Sequence, residues 1–542
     1  MEEVISYLSK KLSQIIEENN WGNPPIIIDF PREERFGDLS SNLPLVLAKS
    51  AHRSPKDIAS IFISSFSEDE YIEKVVFLNG FLNFFLSKSF LYKKIKEINK
   101  KKNEYGRLSL GRGLKIQVEF VSANPTGPLH VGHGRHAAFG DSLSRILSEA
   151  GYNVQREYYV NDAGKQMDIL GLSIKERTKE LLHLPFSLPE DGYKGEYVKD
   201  IAREIIEKYG KDVVKRDIGF FKNYGLKRIL EGIKKDLLDF GVKFDNWFSE
   251  KTLYENKILD KVIDHLRKKG LTYEKDGALW LKTTQFGDDK DRVLIRSNGI
   301  PTYFAGDLAY HYDKLKRGFD KVIDIWGADH HGYVKRMKAG TSTLGYPEGA
   351  FEALLVQFVS LIKEGKNIGM STRAGEFVTL RELMNEVGRD VARFYYVSKS
   401  ADSHLEFDLD KAKEETKENP MYYMQYAYAR ISSIFEKAEK QNINIDKEPL
   451  LELLIHEDEI RLMKLLIKYP EVVKKAATHY AVHIIINYLQ ELASAFHKFY
   501  TTCRVLGENK ELSIARLFLV SATKIILNKS LTLVGVTALE KM

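Results

Sequence analysis

Cysteine is nearly absent: Cys503 is the sole one among 542 residues, so the chain can make neither an internal disulfide nor a zinc cage of its own thiolates. A reducing cytoplasm is the expected home. No run approaches the ~18 apolar residues of a membrane span. Met1-Glu-Glu-Val-Ile-Ser6 also lacks the basic start and apolar core of an export signal, so a soluble, intracellular protein with no membrane partner is expected. A strong excess of either charge is missing too. The 82 Lys+Arg against 76 Asp+Glu leave +6, which admits a nucleic-acid partner without demanding one, because only clustered cations make a phosphate footprint. Internal repeats and low-complexity tracts are also lacking. What remains is 43% hydrophobic and 29% charged, an ordinary globular balance with enough length for three or four domains.

The stretch from Lys115 to His133 organises the rest. Lys115-Ile-Gln-Val-Glu-Phe-Val121 reads as a buried strand, Asn124 to Pro128 as a turn, and Gly132 opens a helical pattern that runs to Ala150. A strand, a tight turn and a helix N-terminus make an anion site, since the first helical N–H groups have no internal partner. His130 and His133 share a face of that first turn, and Gly132 leaves the backbone open. Two imidazoles there suit a transition state with charge building on a phosphate. With 14 His and 37 Gly in 542 residues, roughly 0.02 chance copies of His-x-Gly-His are expected. Helix caps or core fillers are the alternative for these histidines.

Upstream, residues 2 to 18 have helical periodicity, Pro24 to Phe30 reads as a strand and Leu39 to Ala51 as a helix. Ser54-Pro55 starts another helix, and Val75 to Phe85 reads as a hairpin turning at Asn79-Gly80. Lys96 to Gly113 reads as a linker. Val154 to Val160 completes a βαβ unit and hence a parallel sheet, followed by the turn Asn161-Asp162-Ala163-Gly164. Residues 185–299 read as an inserted region of long charged helices. Lys321 to Trp326 returns to the sheet and ends in Gly327-Ala-Asp329-His330-His331, where polar groups just past a strand suit a ligand crevice. A metal reading of that cluster lacks a further ligand at helical spacing, and no protein-held metal is expected. Lys363 to Gly375 is a glycine-punctuated basic loop of the kind that closes over triphosphate. From Pro420 the pattern is a helical bundle. The expected fold is therefore α/β: a parallel-sheet nucleotide-binding core, 111–410, with the insertion, between a small α+β domain with its linker, 1–110, and an all-α bundle, 411–542.

Glu119-Phe-Val-Ser-Ala-Asn-Pro-Thr-Gly-Pro-Leu-His-Val-Gly-His-Gly-Arg135 resembles the ATP-binding stretch of class I aminoacyl-tRNA synthetases, specifically of the arginyl-tRNA synthetases. Phe36-Gly37-Asp38, Met421 to Ser433 and Leu531 to Met542 extend the resemblance over essentially the whole chain. Residues alone lead only to a nucleotide-binding α/β enzyme. The resemblance implies that His130, Gly132 and His133 bind ATP with Gly327, Asp329, His330 and Met370, and that Met370, Ser371, Thr372 and Arg373 hold pyrophosphate. Arginine would be met by Glu119, Ser122, Asn124, His130 and Asp329, with Tyr303 and Asp307 for its guanidinium. Mg2+ would arrive with ATP. The implied partners are an arginine-accepting tRNA, bound by both terminal domains, ATP and L-arginine, and the implied state is a monomer. The family's second motif often begins with lysine, or a lysine precedes the first motif; here those positions are Gly369 and Gly127, so Lys366 or Arg373 is expected to supply the charge. A class I synthetase of another amino acid, a small-molecule nucleotidylyltransferase and a non-enzymatic tRNA-binding relative are the competing readings.

Overall fold

Apolar spacing makes the first helix: in Glu2–Glu18, Val4, Leu8, Leu12, Ile15 and Ile16 fall on one buried stripe. The computed structural model describes residues 1–542 except 32, 369–376, 417 and 444–448. β1 (Leu39–Ser41), β2 (Ile72–Leu78) and β3 (Phe81–Leu86) pair antiparallel in the order β1-β3-β2. The hairpin turns where expected, with Asn79 at φ 52° and Gly80 at φ 88°, because two left-handed residues match the strands' twist. Ser54 caps Pro55–Ser64 by accepting from the Asp57 N–H at 3.2 Å. Three local expectations fail. Pro24 to Phe30 is not a strand and only Asp29 bridges to Ser40, since successive prolines withhold ladder donors. Leu39–Ser41 is drawn into the sheet, which leaves helix only at Leu43–Leu47. The basic segment read as a linker begins inside the helix Lys88–Lys101, whose Phe90, Leu91, Ile95 and Ile98 are buried.

β4 (Lys115–Glu119), β5 (Asn153–Val160) and β6 (Asn246–Ser249) form half of the central sheet. A separate antiparallel sheet, β7 (Thr272–Lys275), β8 (Ala278–Leu281) and β9 (Arg292–Ile295), interrupts the chain before β10 (Lys321–Gly327) and β11 (Phe351–Val356) complete it. The order is β11-β10-β4-β5-β6 and every pairing is parallel. Strand order reverses between β4 and β10, so the crevice at their carboxyl ends receives the turn at His130 from one side and Gly327–His330 from the other. The stretch read as an inserted helical region thus contains β6 and the sheet β7–β9. Strands of four residues give too short a periodic signal to be distinguished from helix.

β12 (Val359–Lys363), β13 (Lys366–Ile368) and β14 (Leu405–Asp408) make a small mixed sheet, and Pro420–Lys440, Glu457–Thr478, His483–Thr502 and Lys510–Leu533 form the bundle. The terminal regions meet directly: Tyr92 donates to the Leu454 carbonyl at 3.0 Å and Asn99 to that of Phe518 at 3.0 Å. Among the described residues no helix is long and apolar enough to cross a membrane. Arg393, fully buried, donates to Asp141 on the helix Val131–Glu149 at 2.6 Å and to the carbonyls of Phe240 and Val534 at 3.1 and 3.2 Å. One guanidinium thereby ties the core, the inserted helix Ile218–Asp239 and the carboxyl tail. Arg393→Met should destabilise the protein by about 3–5 kcal/mol, because Asp141 loses a partner in a site without water. Thermal denaturation followed by circular dichroism checks this; an unchanged midpoint would mean the tie is dispensable.

Candidate active site

β4 leaves the sheet through two residues of left-handed backbone, Val121 at φ 68° and Ser122 at φ 40°, an unusual pair for residues carrying a Cβ and of the kind that gathers at functional turns. The chain then reaches His130, which caps Val131–Glu149. His130 Nδ1 accepts from the Gly132 N–H at 3.1 Å, and His133 Nδ1 accepts from the His130 N–H at 3.2 Å. The rings stack with centroids 3.6 Å apart. Since each Nδ1 accepts, each neutral ring carries its proton on Nε2, leaving two free donors. Burial lowers the pKa of both, and His133 is lowered further by His130 and His136. A Cβ on Gly132 would sit 2.9 Å from the His130 ring, so this position has no room for a side chain.

Two other segments border this turn. Val131 donates to the Val378 carbonyl at 3.2 Å, Leu380 donates to that of Leu129 at 2.8 Å, and the Phe377 ring lies 6.1 Å from that of His130. His136, one turn further along, is pushed down to about 4 by burial and by Arg135 and His130, while Asp329 opposes the shift. The segment after β10 is therefore within electrostatic reach of the histidine turn.

Asp307 and Glu250 form an acidic cluster. Asp307, partly buried on Tyr303–Lys316, accepts from the Tyr333 hydroxyl. Burial raises its pKa, against the pull of Tyr333, His311 and His330. Glu250, just past β6, is raised by burial and by the nearby charges of Asp162 and Asp307, and the Tyr254 hydroxyl donates to it at 3.3 Å. Asp162 itself accepts from Ser249 at 2.7 Å and from the Lys251 N–H at 3.2 Å, so Asp307 and Glu250 are the two held by tyrosine hydroxyls. Such a pair attracts a cation with several donors.

The residues expected from sequence fall into groups. His130, Gly132 and His133 form the helix start, and Gly327, Asp329 and His330 lie at the neighbouring strand end, with Asp329 and His330 exposed and 3.6 Å apart. Asp307 belongs to the acidic cluster with Glu250; Tyr303, on the same helix, is 87% exposed and points to solvent. Ser122 donates to Glu119 at 2.9 Å and accepts from the Tyr159 N–H at 3.1 Å. Glu119 is buried, its other oxygen held by Lys314 at 2.6 Å. Asn124, exposed, donates to Gln166 at 2.9 Å. Met370, Ser371, Thr372 and Arg373 lie outside the described residues, and Lys366 is exposed on β13. A side chain at Gly127 would begin 3.1 Å from the Tyr197 ring, which gives a local reason for glycine where some relatives of the resembled family place lysine. The sequence reading missed His136, Tyr333 and Glu250. His136 continues the three-residue stripe of 130 and 133 and could have been found; Glu250 follows a strand too short to recognise.

Residues 94–442 match the family of class I tRNA synthetase (R) catalytic domains, 2–86 the arginyl tRNA synthetase N terminal domain and 424–542 the DALR anticodon binding domain. An arginine–tRNA ligase of Syntrophotalea carbinolica is 48% identical over 527 residues, 96% of this chain and 95% of its own. One from a Geobacter species is 47% identical over 531 residues, again 96% and 95%. The Thermus thermophilus arginyl-tRNA synthetase structure superposes with a TM-score of 0.78 over 99% of this chain and all of its own, at 23% identity, a likeness of fold. Matched along its length by relatives of one kind and built around the switch-point crevice described above, the chain belongs to the arginyl-tRNA synthetase family of class I.

Proposed function

We propose that the chain is an arginine–tRNA ligase: it joins L-arginine and ATP into arginyl-adenylate, releasing pyrophosphate, and then transfers the arginyl group to the 3′-terminal ribose of its tRNA. The observation that carries the choice of amino acid is the partly buried carboxylate of Asp307, held by the Tyr333 hydroxyl, with the charge of Glu250 close by. A guanidinium supplies the missing charge and a fork of donors, so an uncharged side chain would leave those carboxylates unpaired and be rejected. This argues against a synthetase of another amino acid. The amino acid's α-amino end meets Ser122, Asn124 and Glu119, with Asp329 and His130 at the junction with ATP, and Tyr303 closes over the side chain.

In the first step an arginine carboxylate oxygen attacks the α-phosphorus and the bond to pyrophosphate breaks. The Nε2–H donors of His130 and His133 meet the charge that develops on the phosphate oxygens, and being held by backbone hydrogen bonds they need no reorganisation. Gly327, Asp329 and His330 receive the nucleoside. Met370, Ser371, Thr372 and Arg373 receive the pyrophosphate, a reading supported by the hydrogen bonds of Val378 and Leu380 to the turn at His130. Mg2+ enters as the companion of the triphosphate. The tRNA is held by residues 1–110 and 411–542, and the enzyme works as a monomer in the cytoplasm.

Purified chain should charge total tRNA with arginine and with no other amino acid; charging with a different one would overturn the reading. Asp307→Asn should lower kcat/KM for arginine about 100-fold or more, because one charge-assisted contact is lost in a desolvated site, with KM for ATP within about twofold in pyrophosphate exchange. A second prediction concerns pH. The imidazoles of His130, His133 and His136 have folded pKa values below the usual 6.5, so the unfolded chain binds more protons between the two values and stability rises with pH across that window. Their contribution is complete above pH 6.5 and is lost as pH falls toward 4. The thermal midpoint should decline over that interval, and His136→Gln should flatten the slope by up to about one proton; an unaltered slope would show that His136 protonates freely in the fold.

A further inference from the structure

Next to Asp307 is a buried polar chain whose inner members, His311, Asp324 and Lys314, the mechanism above does not use. Asp324 in β10 and Glu119 in β4 are register partners on adjacent parallel strands, and both are buried. Lys314, with no exposed surface, donates to Asp324 at 2.8 Å and to Glu119 at 2.6 Å. His311 spans the next gap, its Nε2 2.9 Å from Asp324 and its Nδ1 2.8 Å from the Asp307 carbonyl. At the other end Glu119 accepts from Ser122. Polar contacts therefore run without a break from Asp307 to Ser122, that is, from the guanidinium end of the amino-acid site to its α-amino end.

Helix geometry gives this chain its consequence. Asp307, His311 and Lys314 stand at i, i+4 and i+7 on one face of Tyr303–Lys316. Lys314 fixes that helix lengthwise, because moving it would strip an ammonium from two buried carboxylates. An α-helix rises about 1.5 Å per residue, close to the length of one carbon–carbon bond. Moving the helix along its axis by that rise would shift Asp307, which it carries, against Ser122, which follows β4, by up to roughly one methylene of substrate.

We infer that Lys314 is a positioning residue that sets the distance between the two grips on the amino acid and so measures the length of its side chain. This rests on the ligase reading and deepens it. The test is tRNA-supplemented pyrophosphate exchange with arginine, with the guanidino acid one methylene shorter and with the one a methylene longer. One methylene is worth about 10–200-fold in a fitted site, so the wild-type chain should prefer arginine by at least about tenfold over each homologue. Lys314→Met should cut that preference at least fivefold through the KM for the amino acid, with KM for ATP within about twofold. Arg317→Met, which breaks the pair with buried Glu157, should lower the thermal midpoint but keep the preference for arginine. If Lys314→Met does not fold, His311→Gln is read in the same way and should shift the preference in the same direction. Retention of the wild-type preference in either folded variant overturns the inference. Absence of arginine-dependent exchange and charging in the wild type overturns instead the ligase reading.

Discussion

Two carboxylates, Glu119 and Asp324, stand side by side at the seam where the halves of the sheet meet, and their mutual repulsion must be relieved without water. The Lys314 ammonium between them does this. Burial alone would pull its pKa down, but Asp324, Glu119 and Glu157 outweigh burial and hold it above its usual value. Asp324, resisting the same burial with help from Lys314 and His311, stays ionised with a pKa of about 2. Glu119 is pushed up by burial despite Lys314. Each carboxylate has one partner besides the ammonium, His311 for Asp324 and Ser122 for Glu119. Replacing such a buried group with apolar residues often costs little stability. What the arrangement secures is geometry, because it aligns β4, β10 and Tyr303–Lys316 beneath the crevice.

Above that seam the site divides by charge. The histidine turn offers neutral donors and a helix N-terminus to an anion, while Asp307 and Glu250 offer carboxylates to a cation. The Gly327–His330 segment lies between them. A substrate pair of one triphosphate and one guanidino acid is the natural complement of this division. The histidine turn follows β4 and Asp307 rides on the helix Tyr303–Lys316, which Lys314 fastens to β4 and β10, so the sheet holds the two at fixed separation. Arg393 extends the same rigidity outward, since its bonds to Asp141, Phe240 and Val534 join the helix that starts at the histidines to the insertion and the carboxyl tail.

The parallel core, the terminal bundle and the Asn79-Gly80 hairpin were all legible in the sequence, because each rests on local periodicity or turn chemistry over enough residues. The placement of Pro24 to Phe30, of Leu39 to Ala51 and of the supposed linker was not. Those stretches have weak or conflicting local preferences, and packing against β3 or the bundle decides them. At the site, His130, Gly132 and His133 stand out as a motif, while Asp307 was named only through the family resemblance. Glu250 and Tyr333 were not, since each lies far along the chain from the residues it faces.

By itself the sequence determined the chemistry on offer: a histidine-bearing strand-to-helix turn and the order of strands and helices that compels a parallel sheet. Such features depend on residues close together in the chain, where backbone geometry is fixed by local sterics and hydrogen bonding. Only the tertiary structure decided that Glu119 meets Lys314 rather than open solvent, that Glu250 joins Asp307, and that one arginine fastens three regions. Those contacts join residues separated by between 57 and 252 positions, and which buried charges meet at such range is set by how the layers pack, which no local pattern encodes.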